Sequence, residues 1–199
     1  MPQTQDVLVW DRLVRVLHWA LVVAFFTCYL TEGEPEWLHA WSGYLIIAIV
    51  LVRIVWGVVG PKHARFSDFV TPPRTAVRYL RDETLGRARR YLGHNPAGGA
   101  MIVALLASLL LTTASGVVVY GTEGHGPLAA SLTGDEALEE TMEKVHEVLA
   151  NFTLLLVIAH VAGVLLGMLR HRENLIGAMW HGRKRPLDPA APAGGGKTH

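Results

Sequence analysis

Residues 146–169 read HEVLANFTLLLVIAHVAGVLLGML, an apolar run with a single carboxylate, Glu147, near its start and two histidines, His146 and His160, within it. Roughly 20 residues at ~1.5 Å rise cross a ~30 Å hydrocarbon layer, so the run is long enough to span a bilayer as a helix. An ionisable ring in such a helix is costly and marks a functional position whose partner has to be named. His160 follows His146 by 14 residues, which is ~21 Å of rise and, at ~100° per residue, a return to within ~40° of the same face. One helix thus offers two imidazoles to one interior at two depths.

Three further runs, 13–30, 39–59 and 99–119, have the same length and polarity. Gly60-Pro61 closes the second, and Asn95-Pro96 with Gly98 and Gly99 precedes the third. The last helix is expected to begin near 135: Thr133 or Asp135 can cap it, and Glu136, Glu139, Glu140 and Glu143 suit the positive end of its dipole. The first run contains His18, follows Asp11, Arg12 and Arg15, and has no small-x-small cleavage site before Glu32, so it is expected to be retained as a helix. The fold class expected is all-α: an integral membrane four-helix bundle in one domain over 1–185, with helices at about 13–30, 39–59, 99–119 and 135–169. Residues 186–199, rich in Pro, Ala and Gly, are expected to form a disordered tail.

The 199 residues are 51% hydrophobic with a net charge of +1, which gives no bulk basicity for nucleic acid. The single cysteine, Cys28, excludes a disulfide framework and a C-x-x-C-H haem attachment. Charge is sorted between the loops. Lys62, Arg65, Arg74, Arg78, Arg81, Arg87, Arg89 and Arg90 lie between the second and third runs, and Arg170, Arg172, Arg183, Lys184 and Arg185 follow the fourth. The positive-inside rule makes these segments, and hence both termini, cytoplasmic. The other two loops carry Glu32, Glu34, Glu36, Glu123, Asp135, Glu136, Glu139, Glu140 and Glu143 against one base, Lys144. That acidic face is either solvated surface or a docking face for a basic soluble partner.

Of the ten histidines, His63, His94, His125, His171, His181 and His199 fall in loops or the tail and read as solvated. His18, His39, His146 and His160 remain. His39 begins the second helix at the level of His146, and His18 lies within about two turns of the inner end of the first, near the level of His160. The four sort into an outer pair, His39 with His146, and an inner pair, His18 with His160. Each pair comes from two helices, as clamping a flat macrocycle requires, and imidazole on both axial positions of a haem iron favours simple electron transfer. Zinc or copper would need three or four ligands at one point. A proton relay lacks a second ionisable series, since Arg53 is nearly alone in the apolar runs. Arg53 follows His39 by 14 residues, so it shares that face at the inner level, either to pair with a haem propionate or to snorkel to headgroups. Arg12 and Arg15, stepping by three toward His18, are weaker alternatives for the same role. Gly43, Gly116, Gly163 and Gly167 admit either a macrocycle or ordinary close helix packing.

Asp11-Arg12, Arg15, His18-Trp19, His39, Gly43-Tyr44, Arg53, Trp56-Gly57 and the run Ala64-Arg65-Phe66-Ser67-Asp68-Phe69-Val70 resemble the bacterial cytochrome b561 family, which is grouped with the b-type cytochrome subunit of nickel-iron hydrogenases. The likeness continues through His94-Asn95-Pro96, His146-Glu147, His160-Val161-Ala162-Gly163, Glu173-Asn174-Leu175 and Gly182-Arg183-Lys184, from about Val9 to Arg185. It implies a multi-pass protein of the bacterial inner membrane holding two haem b groups on His18, His39, His146 and His160. It further implies electron exchange with a quinone such as ubiquinone, and with hydrogenase subunits, a soluble periplasmic cytochrome or another redox protein. Superoxide oxidation coupled to quinone reduction is an alternative, and a haem-free helical transporter is a third class.

Overall fold

The computed structural model describes residues 6–31 and 34–187. In chain order these form β1 (Val7–Leu8), α1 (Arg12–Thr31), α2 (Glu36–Val59), a 3-10 turn at Phe66–Asp68, α3 (Pro73–Thr84), α4 (Pro96–Thr122), α5 (Ala129–Leu132), α6 (Glu136–His171), α7 (Leu175–His181) and β2 (Arg183–Lys184). Four helices, α1, α2, α4 and α6, are long and apolar enough to cross a membrane. Their outward apolar side chains, such as Leu30, Val58 and Leu169, are well exposed, a surface that water would penalise and lipid would not.

Local chemistry sets the helix ends. Asn95 caps α4 by accepting from Gly98 N at 2.7 Å, with Pro96 in the first turn where its missing N–H costs nothing. Asp135, rather than Thr133, caps α6 by accepting from Leu138 N at 3.1 Å. α2 starts at Glu36, one turn before the expected 39, so His39 is inside the helix.

The spanning helices pair as α1 on α2 and α4 on α6, with α2 against α4 joining the two halves. Ala24, Phe25, Ile46, Val50 and Leu109 form the core between α1, α2 and α4. The α4–α6 seam is polar instead. Thr153, fully buried and the one buried residue of α6, meets Ser108 Oγ at 2.6 Å and Thr112 Oγ1 at 3.0 Å, hydroxyl pairing of the kind that holds helices together where no hydrophobic force does. Among the described residues, α1 and α2 make at most slight backbone contact with α6.

Two features depart from the expectation of four helices and loops. The basic segment after α2 contains α3, which packs its Ala76, Tyr79 and Glu83 side inward and lies on α4. The all-α expectation also has a small exception: β1 and β2 pair antiparallel, Val7 with Lys184 and Leu8 with Arg183, bringing the two described ends of the chain to one end of the bundle. Gly182 makes this possible. Its φ is +85°, its carbonyl accepts from Val9 N and Trp10 N, and a Cβ there would sit 2.7 Å from Trp10 O. Residues 188–199 of the expected tail, and Glu32, lie outside the described residues.

The closing segment is fixed by buried charge. Glu173 pairs with Arg90 and, at 3.4 Å, with Lys184 Nζ, which also donates to Leu92 O at 3.1 Å. Burial would raise the Glu173 carboxyl, but the Arg90 hydrogen bond and the two cationic neighbours outweigh it and hold the group below the usual range. At Lys184 the balance is reversed: burial outweighs Glu173 and lowers it. A carboxyl depressed by folding contributes stability that is complete above its unfolded value, near ~4.3, and is lost as pH falls through the lower folded value. Glu173→Gln should therefore cost about 3 kcal/mol at neutral pH and flatten the loss of stability on the acid side of pH 4. Thermal melting of the detergent-purified protein across pH reads both effects. A variant with the wild-type midpoint and the same acid slope refutes the assignment.

Candidate functional site

At the end of the bundle away from the paired termini, His39 of α2 and His146 of α6 face each other with ring centres 6.1 Å apart and planes inclined at 71°. Each ring is oriented through Nδ1. His39 Nδ1 donates to Cys28 O at 3.0 Å, a carbonyl in the last turn of α1 where helices leave acceptors free. His146 Nδ1 donates to Thr112 O at 2.9 Å, with Ser115 Oγ at 3.1 Å beside it. A carbonyl can only accept, so both Nδ1 atoms carry the proton and both Nε2 atoms keep the lone pair, the arrangement usual for a metal-ligating histidine. Imidazole nitrogen binds zinc at about 2.0–2.1 Å, and iron comparably; adding the depth of each ring puts two ligands on opposite sides of one ion roughly 6 Å apart between ring centres. The pair fits one iron.

The small residues have distinct local roles. A Cβ on Gly116 would lie 2.9 Å from His146 Cε1, so α4 needs glycine there for the ring to reach Thr112. A Cβ on Gly43 or Gly163, one turn after His39 and His160, would meet no atom within 4 Å, whereas one on Gly167 would meet Leu175 at 3.3 Å.

The inner histidines are His18 of α1 and His160 of α6. They are electrostatic neighbours, and His18 stands edge-on to Trp19 with its Nδ1 buried and unpartnered. Each pair therefore joins α6 to a helix whose backbone stands off from it.

Arg53 is 9% exposed and does not snorkel. Its Nη2 donates to Ala64 O at 3.1 Å, its guanidinium lies 5.3 Å from the centre of the Phe66 ring, and its Nη1 is buried without a partner. A Cβ on Gly57 would overlap that Phe66 ring, so glycine here lets Phe66 close under Arg53. Arg12 is exposed, and Arg15 donates to Trp180 O at 2.6 Å.

Two histidines read as solvated are not. His94 is packed between Trp10 at 4.4 Å and Phe69 at 4.6 Å, both rings tilted to it, and its Nδ1 is buried and without a partner among the described residues. Burial, then the charge of Arg53 and Lys184, hold it down to about 3, so it is a neutral ring beside the inner histidines. His171, with a side chain 19% exposed, lies 3.4 Å from the buried carboxylate of Glu83. The sequence signal for His94 was its position beside the Asn95-Pro96 cap, which fixes the chain entering α4; its burial depends on Trp10 and Phe69, far away in sequence. His125 is exposed as expected, with half its side-chain surface open.

A family model described as prokaryotic cytochrome b561 matches residues 9–182. A probable Ni/Fe-hydrogenase B-type cytochrome subunit of Rhizobium leguminosarum bv. viciae is 25% identical, the match covering 62% of this chain and 63% of the relative. The chain thus spans less than two thirds of the length of that curated relative. No solved structure matches. Matched from 9 to 182 and built on four apolar helices, the chain belongs to the prokaryotic cytochrome b561 family of membrane b-type cytochromes.

Proposed function

We propose that the protein carries electrons across the bacterial inner membrane through two haem b groups, one held by His39 and His146 and the other by His18 and His160. The observation that carries this reading is the outer pair: ring centres 6.1 Å apart, with each Nδ1 committed to a backbone carbonyl. Haem b, when bound, would supply reversible one-electron chemistry, and the four histidines would be the residues that hold it. The protein residues orient the rings, exclude water and set local charge. Arg53 Nη1 is the donor suited to an inner propionate, since a buried guanidinium nitrogen without a partner needs an anion. The basic end, with the paired termini, faces the cytoplasm. Quinone is the lipid-soluble redox partner, and the acidic end faces a cationic soluble carrier. Its field would repel superoxide, an anion, which favours a protein partner over superoxide oxidation.

A reduced-minus-oxidised spectrum with haem counted per chain tests the reading, two per chain being expected. His39→Ala and His146→Ala should each lose the same haem, leaving one, while His18→Ala and His160→Ala lose the other. Loss of one haem in His39→Ala and a different one in His146→Ala sinks the pairing.

Arg53→Leu removes a buried positive charge that favours the more electron-rich ferrous state. At roughly 1 kcal/mol of lost interaction the inner midpoint potential should fall by about 40 mV. Redox titration resolves the two haems; unchanged potentials for both would separate Arg53 from the inner group.

Glu140 and Glu143 are exposed and Glu139 half-buried on α6, before His146 in sequence, with Glu140 paired to Lys144. Steering by such a patch acts on association rate and is screened within ~10 Å at 0.1 M salt. Stopped-flow oxidation by a basic c-type cytochrome should slow about tenfold from low to moderate salt, and should slow at low salt on reversal of the three charges. Rates indifferent to both leave the patch as solvated surface.

A further inference from the structure

The turn after α4 gathers three metal-type ligands at the end of the bundle that carries His39 and His146. Glu36 opens α2, Glu123 caps the C-terminus of α4, and His125 follows in the turn. One ligand atom from each lies within 4.8 Å of the other two, and His125 Nδ1 is 3.4 Å from Glu36 Oε1. A tetrahedral zinc ion with bonds of about 2.0–2.2 Å sets neighbouring ligand atoms roughly 3.3–3.6 Å apart. One ligand edge is already at that spacing, and rotation of exposed side chains closes the others.

The backbone builds this arrangement. Gly124 and Gly126 take φ of +88° and +69°, folding the turn so that His125 N donates to Tyr120 O at 2.9 Å. The His125 ring then stacks on Tyr120 at 5.1 Å and 25°. A Cβ on Gly126 would meet Tyr44 Oη at 2.6 Å, so the turn is pressed against α2 and α4 and the imidazole has a fixed platform.

Electrostatics point the same way. Glu36 suits the positive end of α2, but Glu123 sits at the negative end of α4. Glu36, Glu139, Glu143 and His125 are its charged neighbours. An ion pair between His125 and Glu36 would leave Glu123 facing carboxylates on both sides, whereas a divalent cation neutralises the group together.

We propose that Glu36, Glu123 and His125 form a divalent transition-metal site of the zinc class, tying the start of α2 to the end of α4. Two carboxylates and one imidazole, with water in the fourth position, suit zinc; calcium and magnesium prefer oxygen-only sets. The site uses none of the four half-buried histidines of the spanning helices and does not depend on their role.

The test is calorimetric titration of ZnCl2 into the full-length protein, purified in detergent and stripped with chelator, alongside His125→Ala and Glu123→Gln. The expected result is one tight zinc ion per chain, weakened by ~10-fold or more in each variant, since even residues that only orient ligands cost about 10–100-fold. Zinc should also raise the thermal midpoint of the wild type and of neither variant, because an ion that binds only the folded state stabilises it. All three side chains are exposed, so the variants should fold, and their melting without zinc checks this. Absence of binding in the wild type, or binding and a thermal shift that persist in both variants, overturns the proposal.

Discussion

An imidazole buried in hydrocarbon must have both nitrogens satisfied, because no water is there to do it. At His39 and His146 half of that demand is met by backbone. Cys28 O lies in the last turn of α1, where it accepts from the ring and from Thr31 Oγ1, and Thr112 O is reachable because Gly116 has no side chain. These bonds tie α2 to α1 and α6 to α4 beside the apolar core and the hydroxyl seam that pack them. What is left on each ring is one lone pair on Nε2, with the ring centres 6.1 Å apart. Neither Nε2 can donate to the other, so a metal between the rings would satisfy both.

The same rule explains the polar seam between α4 and α6. Ser108, Thr112 and Thr153 satisfy one another at the middle of α6, between the levels of His146 and His160. The helix that bears His146 and His160 is thereby fixed against its neighbour midway between them. Small motions of the rings would raise the reorganisation needed for electron transfer, so this fixing serves the proposed chemistry as well as the fold.

Much of this was legible in the sequence because it depends on separation along one helix. The 14-residue step from His146 to His160, and the same step from His39 to Arg53, assign faces and levels without tertiary information. The α6 cap was legible to within two candidates, and Asp135 won because its carboxylate reaches Leu138 N. His94 and His171 were misread because loop position is a poor guide to burial. Trp10 and Phe69 cover His94 from segments distant in sequence, and the cover depends on β1 meeting β2. The Arg90–Glu173–Lys184 cluster was hidden for the same reason: three charges that look like basic and acidic loop residues become one buried network only when the chain ends are brought together.

That network bears on the inner histidines. Trp10 packs on His94 and lies under Lys184 at 5.8 Å, so the terminal clasp, the His94 stack and Arg53 form one continuous layer beneath His160. In this layer Glu173 answers Arg90 and Lys184, while Arg53 bonds a carbonyl, lies over an aromatic face and has Asp11 as its carboxylate neighbour without an ion-pair contact among the described residues. His94, held neutral, adds no further charge and keeps an unpaired Nδ1. The opposite end carries the reverse imbalance, with carboxylates around His39 and His146. Under the proposed two-haem reading, a haem at the basic end would be easier to reduce than one at the acidic end.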